Sequence, residues 1–201
     1  MGNIMTEHQR WLNDKGDQTL RYDYPLDHTA IIFDLGGYEG QWSKIIWNRF
    51  EPTVYIFEPV NSFYQTIEDD PKCAMFKKFK CGLGKRTEDI EINISRDGSS
   101  IFTNEGNDTE TISIVDIKEF IDAHNIHTID LMKINIEGAE YDLLERIIEI
   151  GFLDKINHIQ IQFHPWVDNY AERRENIINA LKKTHLCKYN YEMIWESWSI
   201  K

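Results

Sequence analysis

The sequence predicts an α/β fold, with a mostly parallel seven-stranded sheet, helices on both of its faces and an antiparallel strand near the carboxyl end. Two observations predict it. Short apolar runs typical of buried strands alternate along the chain with segments of helical periodicity. Of the 201 residues, 41% are hydrophobic, which suits one compact core. We expect the folded domain to cover residues 29–201, after a polar, partly helical extension over residues 1–28.

The predicted elements follow one another in a regular order. Most of the strands are apolar throughout, which indicates burial on both faces, whereas isoleucines alternate with polar residues over 88–95 and indicate a half-exposed strand. Strands are predicted at residues 30–34, 53–58, 74–81, 88–95, 129–137, 156–163, 187–194 and 196–200. Helices are predicted at residues 40–50, at 62–69, after 116, between 138 and 151, and between 164 and about 183.

Local signals support the ends of these elements. Asp116 and Glu119 have the spacing of a capping box at the start of a helix. Gly151 has the position of a left-handed cap at the end of the next helix. Residues 96–108, rich in Asp, Gly, Ser and Asn, form the longest predicted loop.

Charge and composition exclude several classes of protein. The 22 basic and 34 acidic residues give a net charge of −12, which disfavours a nucleic-acid partner. No apolar run is long enough to cross a membrane, and the polar N-terminus lacks a signal peptide. Three cysteines, an odd number, fit the reducing cytoplasm. No histidines have metal-ligand spacing, so we expect no metal site, and the sequence leaves the oligomeric state open.

Polar side chains stand where several predicted strands end. They are Asp34, Glu58, the pair Asn135 and Glu137, and His164. Because ligands of parallel sheets bind outside the carboxyl ends of the strands, this convergence predicts a binding site there.

The first two strand ends indicate a nucleoside-containing ligand. Asp34 is followed by Gly36, Gly37 and Gly40, small residues that let a ligand approach the backbone, although packing alone also explains such a turn. Glu58 ends the next strand, where a carboxylate can accept hydrogen bonds from both hydroxyls of a ribose.

The same loop distinguishes between two cofactors. A nicotinamide fingerprint requires glycine at the position of Leu35. S-adenosylmethionine carries a sulfonium and an ammonium group, which suit the acidic Asp34, and it has no pyrophosphate. The residues therefore favour S-adenosylmethionine over a nicotinamide dinucleotide.

A third motif covers residues 129–140, where polar side chains interrupt a strand that should be apolar. By the two-residue period of a strand, Lys133, Asn135 and Glu137 share one face. Unpaired burial of these groups would be costly, so they pair with each other or with a ligand. A structural ion pair between Lys133 and Glu137 is the alternative to a functional role.

These motifs resemble those of the FkbM-type S-adenosylmethionine-dependent methyltransferases. The family has an acid–glycine loop like residues 34–40, a Phe-Glu-Pro strand end like residues 57–59, and a long signature like residues 129–140. The resemblance implies a Rossmann-like class I methyltransferase fold and a methyl transfer to a hydroxyl group of a sugar, glycolipid or polyketide-like small molecule. It also implies that the cofactor's amino-acid end lies against Asp34, Gly36, Gly37 and Gly40, its ribose against Glu58, and its adenine near Cys81, Gly82 and Leu83.

The predicted catalytic residues follow from the chemistry of methyl transfer, which needs a base for the hydroxyl proton. His164 is the first candidate and Glu137 the second, although His164 also fits a structural role in the turn that follows. Asn135 stands where the family signature has Asp, and an amide cannot take that proton. This departure motivates an alternative, a catalytically weakened cofactor-binding module with a regulatory or scaffolding role. A nicotinamide-dependent oxidoreductase is a more remote alternative. The predicted acceptor walls are the N-terminal segment and the loop 96–108.

Overall fold

A seven-stranded sheet forms the centre of the molecule in the computed structural model, which describes residues 5–93 and 109–201. The strands are β1 (Ile31–Leu35), β2 (Thr53–Phe57), β3 (Lys77–Phe79), β4 (Gly82–Gly84), β5 (Glu88–Asn93), β6 (Thr109–Asp116), β7 (Ile129–Ile134), β8 (Ile156–Ile161), β9 (His185–Tyr191) and β10 (Trp195–Ile200). The helices are α1 (Glu7–Asn13), α2 (Gln41–Phe50), α3 (Asn61–Asp69), α4 (Ile117–His124), α5 (Glu140–Glu149) and α6 (Tyr170–Thr184).

The strand order confirms the predicted fold class. The order is β3-β2-β1-β7-β8-β10-β9, in which β10 runs antiparallel to β8 and β9 and the other pairs are parallel. Alternate residues of β1 enter two separate cores, as expected for a sheet covered on both faces. Phe33 and Leu35 pack with residues of α4, α5 and α6, whereas Ile32 packs with Trp42 and Ile46 of α2.

A second sheet of three strands, ordered β4-β6-β5, was not foreseen in the sequence. The predicted alternation of residues 88–95 is correct for β5, in which Ile92 is buried and Glu91 exposed, but β5 belongs to this second sheet. The strand predicted at 74–81 is shorter, because the 3₁₀ turn at Pro71–Cys73 continues in turn hydrogen bonds up to Phe76, whose N–H donates to the Cys73 carbonyl, and β3 begins only at Lys77. The loop predicted at 96–108 lies outside the described residues.

Two further expectations about element ends have different outcomes. Gly151 has a φ of 68° just after α5, which confirms the left-handed cap. The capping box predicted at Asp116 and Glu119 is wrong. The Asp116 carboxylate does accept a hydrogen bond from the Lys118 N–H, but the Glu119 carboxylate accepts one from the Thr87 hydroxyl instead of returning to the cap.

A row of polar side chains crosses one face of the large sheet. Register pairs join Asp34 to Lys133, Lys133 to Gln160, Gln160 to Ser197 and Ser197 to Tyr189, so the row spans β1, β7, β8, β10 and β9. The Lys133 Nζ lies 2.9 Å from Asp34 Oδ1, and the Gln160 Nε2 lies 3.1 Å from the Tyr189 hydroxyl oxygen. Because buried polar groups need partners, this row requires a polar cover.

The N-terminal segment, residues 5–26, supplies that cover. The Gln160 amide donates to the Arg21 carbonyl at 3.1 Å and to the Tyr24 hydroxyl at 3.0 Å, and Tyr24 also bonds Ser197 at 3.0 Å. Trp11 is buried against the aromatic rings of β9 and β10. The division into an extension and a domain at residue 28 stays a prediction. None of the described helices is long and apolar enough to cross a membrane.

Candidate active site

A cavity of about 540 Å³ opens where β1, β2 and β7 end. Its walls include Gly36 and Gly37 from the loop after β1, Glu58 after β2, and Asn135 and Glu137 after β7. The volume is within the range of sites that enclose a small organic ligand. The structure therefore brings together five of the residues that the sequence predicts for a site at this edge.

Glu58 lies in the cavity wall with its carboxylate already oriented. It is 5% exposed, and its two oxygens accept hydrogen bonds from the backbone N–H groups of Tyr38, at 2.8 Å, and Val60, at 2.9 Å. Burial raises the pKa of Glu58 to about 7, although these two bonds and Lys133 favour the ionised form. Each oxygen keeps a lone pair for a ligand donor.

The glycines of the loop are required by packing within the protein. Gly36 has a φ of 78°, and a Cβ there would lie 1.9 Å from the Asn135 carbonyl oxygen. A Cβ on Gly37 would lie 2.4 Å from the Ile56 side chain. Gly40 is left-handed at the start of α2 and is not among the residues that line the cavity. The absence of side chains at Gly36 and Gly37 thus lets the loop pack closely against β2 and the β7–α5 loop. Packing within the protein is therefore enough to explain these two glycines.

Asp34 lies behind the cavity wall. Its side chain is fully buried, 2.9 Å from the Lys133 Nζ, and it accepts a hydrogen bond from Ser43 Oγ at 2.6 Å. Lys133 also donates to the Gly36 carbonyl at 2.7 Å, and burial lowers its pKa against the attraction of Asp34. The alternative of a structural ion pair between Lys133 and Glu137 is therefore wrong, since Lys133 pairs with Asp34. Asp34 does not line the cavity, although the resemblance implied a place for it beside the cofactor.

Two buried polar atoms in the cavity wall have no hydrogen-bond partner within residues 5–93 and 109–201. They are Oδ1 of Asn135 and Nε1 of Trp42. β7 ends at Ile134, so Asn135 and Glu137 lie in the following loop and not in the strand predicted for them. Both atoms are closed off from the cavity itself, so they remain unpaired polar groups inside its wall, and such groups are costly to bury.

Glu137 belongs to a cluster of three titratable side chains. Its backbone is left-handed, with a φ of 54°, and burial raises the pKa of its carboxyl. The His164 Nε2 lies 3.8 Å from Glu137 Oε2, while His164 Nδ1 is 2.9 Å from Glu140 Oε1. Burial alone would lower the pKa of His164, but the hydrogen bond and the two carboxylates raise it.

Glu140 is a residue of the candidate site that the sequence reasoning missed. Its fully buried carboxylate accepts hydrogen bonds from the N–H groups of Ile136 and Gly138, both at 2.9 Å, besides holding His164. Glu140 thereby fixes the loop that carries Asn135 and Glu137. Its place at the end of the third sequence motif was the available signal.

The opposite wall of the cavity is apolar. Of the three residues predicted near the adenine, Gly82 and Leu83 line this wall and Cys81 does not. Burial raises the pKa of the Cys81 thiol to about 11. The second sheet supplies most of the rest. The other apolar lining residues on this side are Pro59, Val60, Phe63, Ile90, Ile92, Ile112 and Ile114.

Two exposed aromatic side chains lie near the site, Tyr38 in the cavity wall and Trp166 beside Glu137, whose carbonyl accepts from Trp166 Nε1. Tyr38 is 48% exposed and packs on Phe63, and Trp166 is 46% exposed with its ring 4.5 Å from that of His164. Trp195 and Trp198 are buried in the core. Within the described residues, no three His, Cys, Asp or Glu side chains form a group suited to a metal ion.

The family model of the methyltransferase FkbM domain matches residues 34–193. The chain belongs to the FkbM methyltransferase family. The match begins at Asp34 and covers all three motifs, which confirms the resemblance. It agrees with S-adenosylmethionine as the cofactor and gives no support to a nicotinamide-dependent oxidoreductase. No curated protein has significant sequence similarity to this chain.

Solved structures show the fold of this FkbM domain in other methyltransferases. A protein from Clostridium thermocellum described as an rRNA methylase superimposes with a TM-score of 0.54 at 10% identity, covering 99% of this chain and 98% of that one. A protein from Streptococcus pneumoniae described as a tRNA (m1A22) methyltransferase has a TM-score of 0.50 at 10% identity, covering 92% and 68% of the two chains. At these identities the likeness extends to the fold alone.

Proposed function

We propose that this chain is an S-adenosylmethionine-dependent methyltransferase that methylates a hydroxyl group of a small, carbohydrate-like molecule. One observation carries the proposal. A single cavity joins a wall suited to a nucleoside, with Glu58 facing apolar side chains, to the Glu137 carboxylate and its partner His164.

The residues present fit the proposed cofactor. The Glu58 carboxylate can accept hydrogen bonds from ribose hydroxyls, and the apolar side chains around Leu83 can hold a flat base. When bound, the cofactor supplies an electrophilic methyl group on a sulfonium.

Glu137 is the proposed base, because it lines the cavity and His164 does not. Burial raises the pKa of the Glu137 carboxyl, which makes its carboxylate a stronger acceptor for a hydroxyl proton. His164, held by Glu140, faces Glu137 and stabilises its ionised form. Glu137 would thus contact the acceptor while His164 positions it.

The acceptor class rests on charge and on two exposed aromatic rings, Tyr38 in the cavity wall and Trp166 next to Glu137. The exposed rings of Tyr38 and Trp166 suit stacking on a sugar, and the net charge of −12 opposes a phosphate backbone. Glycolipid and polyketide-like acceptors with a free hydroxyl share this chemistry. The three free cysteines support the cytoplasm as the compartment.

Binding and transfer experiments test the proposal in turn. Calorimetry should detect S-adenosylhomocysteine binding to the wild type and its loss in Glu58→Ala, with an unchanged circular dichroism spectrum. A radiolabelled-methyl assay would then compare glycosides, glycolipids, polyketide-like alcohols and tRNA. Transfer to tRNA alone would overturn the acceptor class, and unchanged binding in Glu58→Ala would overturn the ribose assignment.

The alternative, a cofactor-binding module with weakened catalysis, is favoured by Asn135 alone. Its amide stands in the cavity wall where the family signature has a carboxylate. Asn135→Asp distinguishes the two functions. Increased methyl transfer by Asn135→Asp would show that the chain is an enzyme whose activity Asn135 reduces. Cofactor binding without transfer to any acceptor, in both the wild type and the variant, would support the non-catalytic module.

A further inference from the structure

We infer that Arg21, from the N-terminal segment, binds the carboxylate of the cofactor's amino-acid end. The inference rests on the cofactor proposed above and extends it to a residue outside the family match, which begins at residue 34. It assigns to the N-terminal segment a part in cofactor binding.

The Arg21 guanidinium has hydrogen-bond donors to spare. A guanidinium carries five N–H donors. Within the described residues its polar contacts are long, since Nε lies 3.4 Å from Gln160 Oε1 and one terminal nitrogen lies 3.5 Å from Asp17. Asp17 is 46% exposed and also accepts a hydrogen bond from Trp11, whereas the Arg21 side chain is only 16% exposed. A mostly buried cation with such weak partners favours an anionic ligand.

Arg21 differs in this respect from the other cation in the cavity wall. Lys133 is neutralised by Asp34 at 2.9 Å and donates to the Gly36 carbonyl. Its charge is therefore satisfied inside the protein. Arg21 is the cavity-lining cation of the described chain whose charge stays available to a ligand.

The position of Arg21 fits the end of a nucleoside ligand remote from the ribose. Arg21 packs over Gln160 of β8 and Trp195 of β10, with its guanidinium 4.0 Å from the Trp195 ring centroid. Glu58 follows β2, on the other side of β1 and β7. Three strand spacings of about 4.8 Å separate β2 from β8, and the inward reach of both side chains shortens this span. A ligand with hydroxyls at Glu58 and a carboxylate on an extended tail can bridge the two.

The protein holds Arg21 in place before any ligand binds. The Arg21 carbonyl accepts from Gln160, and the neighbouring Tyr24 bonds Gln160 and Ser197. The ring of Trp195 fixes the guanidinium from one side. A planar, preorganised guanidinium suits two parallel hydrogen bonds to a carboxylate.

Calorimetry with three ligands tests the assignment. The ligands are S-adenosylhomocysteine, its decarboxylated analogue and 5′-methylthioadenosine, which lacks the amino-acid end. In Arg21→Gln we expect S-adenosylhomocysteine to bind about 10- to 100-fold more weakly. The affinities for the other two ligands should be unchanged, which also shows that the variant is folded. In the wild type, loss of the carboxylate should weaken binding by a similar factor.

Arg49→Gln is the matched control. The Arg49 guanidinium lies 4.9 Å from the ring of Tyr22, so it also contacts the N-terminal segment but does not line the cavity. Its affinity for S-adenosylhomocysteine should stay at the wild-type value.

Three results would overturn the inference. If Arg21→Gln binds S-adenosylhomocysteine as tightly as the wild type does, Arg21 does not contact the cofactor. If the variant loses affinity equally for all three ligands, the role of Arg21 is structural. If the wild type binds none of the three ligands, the proposed cofactor is wrong. That result differs from failure of the Arg21 assignment alone, in which the wild type and Arg21→Gln bind S-adenosylhomocysteine equally well.

Discussion

Glu58 shows how one side chain can organise both the protein and its ligand. Its carboxylate accepts the N–H of Tyr38 and so connects the end of β2 to the loop after β1. The same buried group has a pKa of about 7 and faces the cavity, so its charge changes within the physiological range. Cofactor binding should therefore depend on pH.

We expect the affinity for S-adenosylhomocysteine to increase about 10-fold between pH 6 and pH 8. The ionised carboxylate accepts ribose hydrogen bonds better than the neutral acid, and Glu58 loses its proton across this interval. Calorimetry at several pH values measures the effect. Glu58→Gln should bind more weakly with little pH dependence, and an equal slope in this variant would assign the titration to another group.

Glu137 leads to a prediction about catalysis. Replacement by Gln should lower kcat by about 100- to 10,000-fold and leave S-adenosylhomocysteine affinity within a few-fold, because the amide cannot accept the proton. In the wild type, activity should rise with pH as Glu137 ionises, above the ordinary range of a glutamate because burial raises its pKa. An active Glu137→Gln enzyme with an unchanged pH profile would return the role of base to His164.

The pair of Asp34 and Lys133 should contribute strongly to stability. Lys133→Met leaves the Asp34 carboxylate buried without its counter-ion, for which we expect a loss of about 3–5 kcal/mol in the free energy of unfolding. Urea denaturation measures this loss. Adding Asp34→Asn should recover part of it, and a double variant no more stable than Lys133→Met would contradict the ion-pair argument.

At this scale, the sequence located side chains better than it located their partners. Glu58, Asn135 and Glu137 were found because a polar residue at the carboxyl end of an apolar run is conspicuous in the sequence. Asp34 and Lys133 are separated by 98 intervening residues, and only the strand order makes them neighbours. Arg21 stands in a polar segment without a motif, so no local pattern distinguished it from other surface cations.

The loops after β1 and β7 are packed directly on one another. The left-handed Gly36 has no Cβ, and the Asn135 carbonyl oxygen occupies the space where one would be. This contact determines how far apart the two walls of the cavity stand. A larger residue at position 36 must displace the loop that carries Asn135 and Glu137.

Gly36→Ala and Gly151→Ala form a matched pair that tests this contact. Both glycines are left-handed, with φ of 78° and 68°, but a Cβ on Gly151 would meet nothing within 4 Å. Gly151→Ala should cost about 1 kcal/mol for backbone strain alone. Gly36→Ala should cost at least about 2 kcal/mol more, since a backbone contact must shift, and should weaken S-adenosylhomocysteine binding. If thermal unfolding shows the same loss of stability for Gly36→Ala and Gly151→Ala, the loop that carries Asn135 can move away from residue 36 at little cost.

Strands and helices were predicted correctly where the spacing of apolar residues along one face was enough to identify the element. The alternation of β5 gave its exposure, but alternation carries no information on which sheet a strand joins, and so the second sheet was missed. The strand at β7 was predicted three residues too long, since Asn135 and Glu137 continue the alternation of a strand after the backbone has left the sheet.

Across the whole molecule, the strand order brings polar residues that are far apart in the sequence into one row on the sheet and into the wall of one cavity. The polar row on the sheet is covered by the N-terminal segment, and the cavity is closed on its apolar side by the second sheet. The alternation of strands and helices predicted the large sheet correctly, because short right-handed connections leave few topologies. The packing of the N-terminal segment depends on contacts with β8, β9 and β10, which no local pattern encodes.

The net charge of −12 predicts weak interaction with nucleic acids. A gel-shift titration with mixed tRNA at 0.15 M salt should show no complex at micromolar protein, because an acidic surface gains nothing from counter-ion release. A basic protein of similar size serves as the positive control. A tight complex whose affinity falls steeply with salt would favour an RNA acceptor over a small alcohol.

Two residues of the cavity wall, Tyr38 and Glu137, have left-handed backbones with φ of 51° and 54°. Such a conformation costs a side-chain-bearing residue about 1 kcal/mol, which glycine would not pay. A selection for heat resistance alone would therefore reward glycine at both positions and remove the aromatic ring and the carboxylate together. Laboratory evolution of this chain has to select for methyl transfer and thermal tolerance at the same time, or the more robust descendants will be the inactive ones.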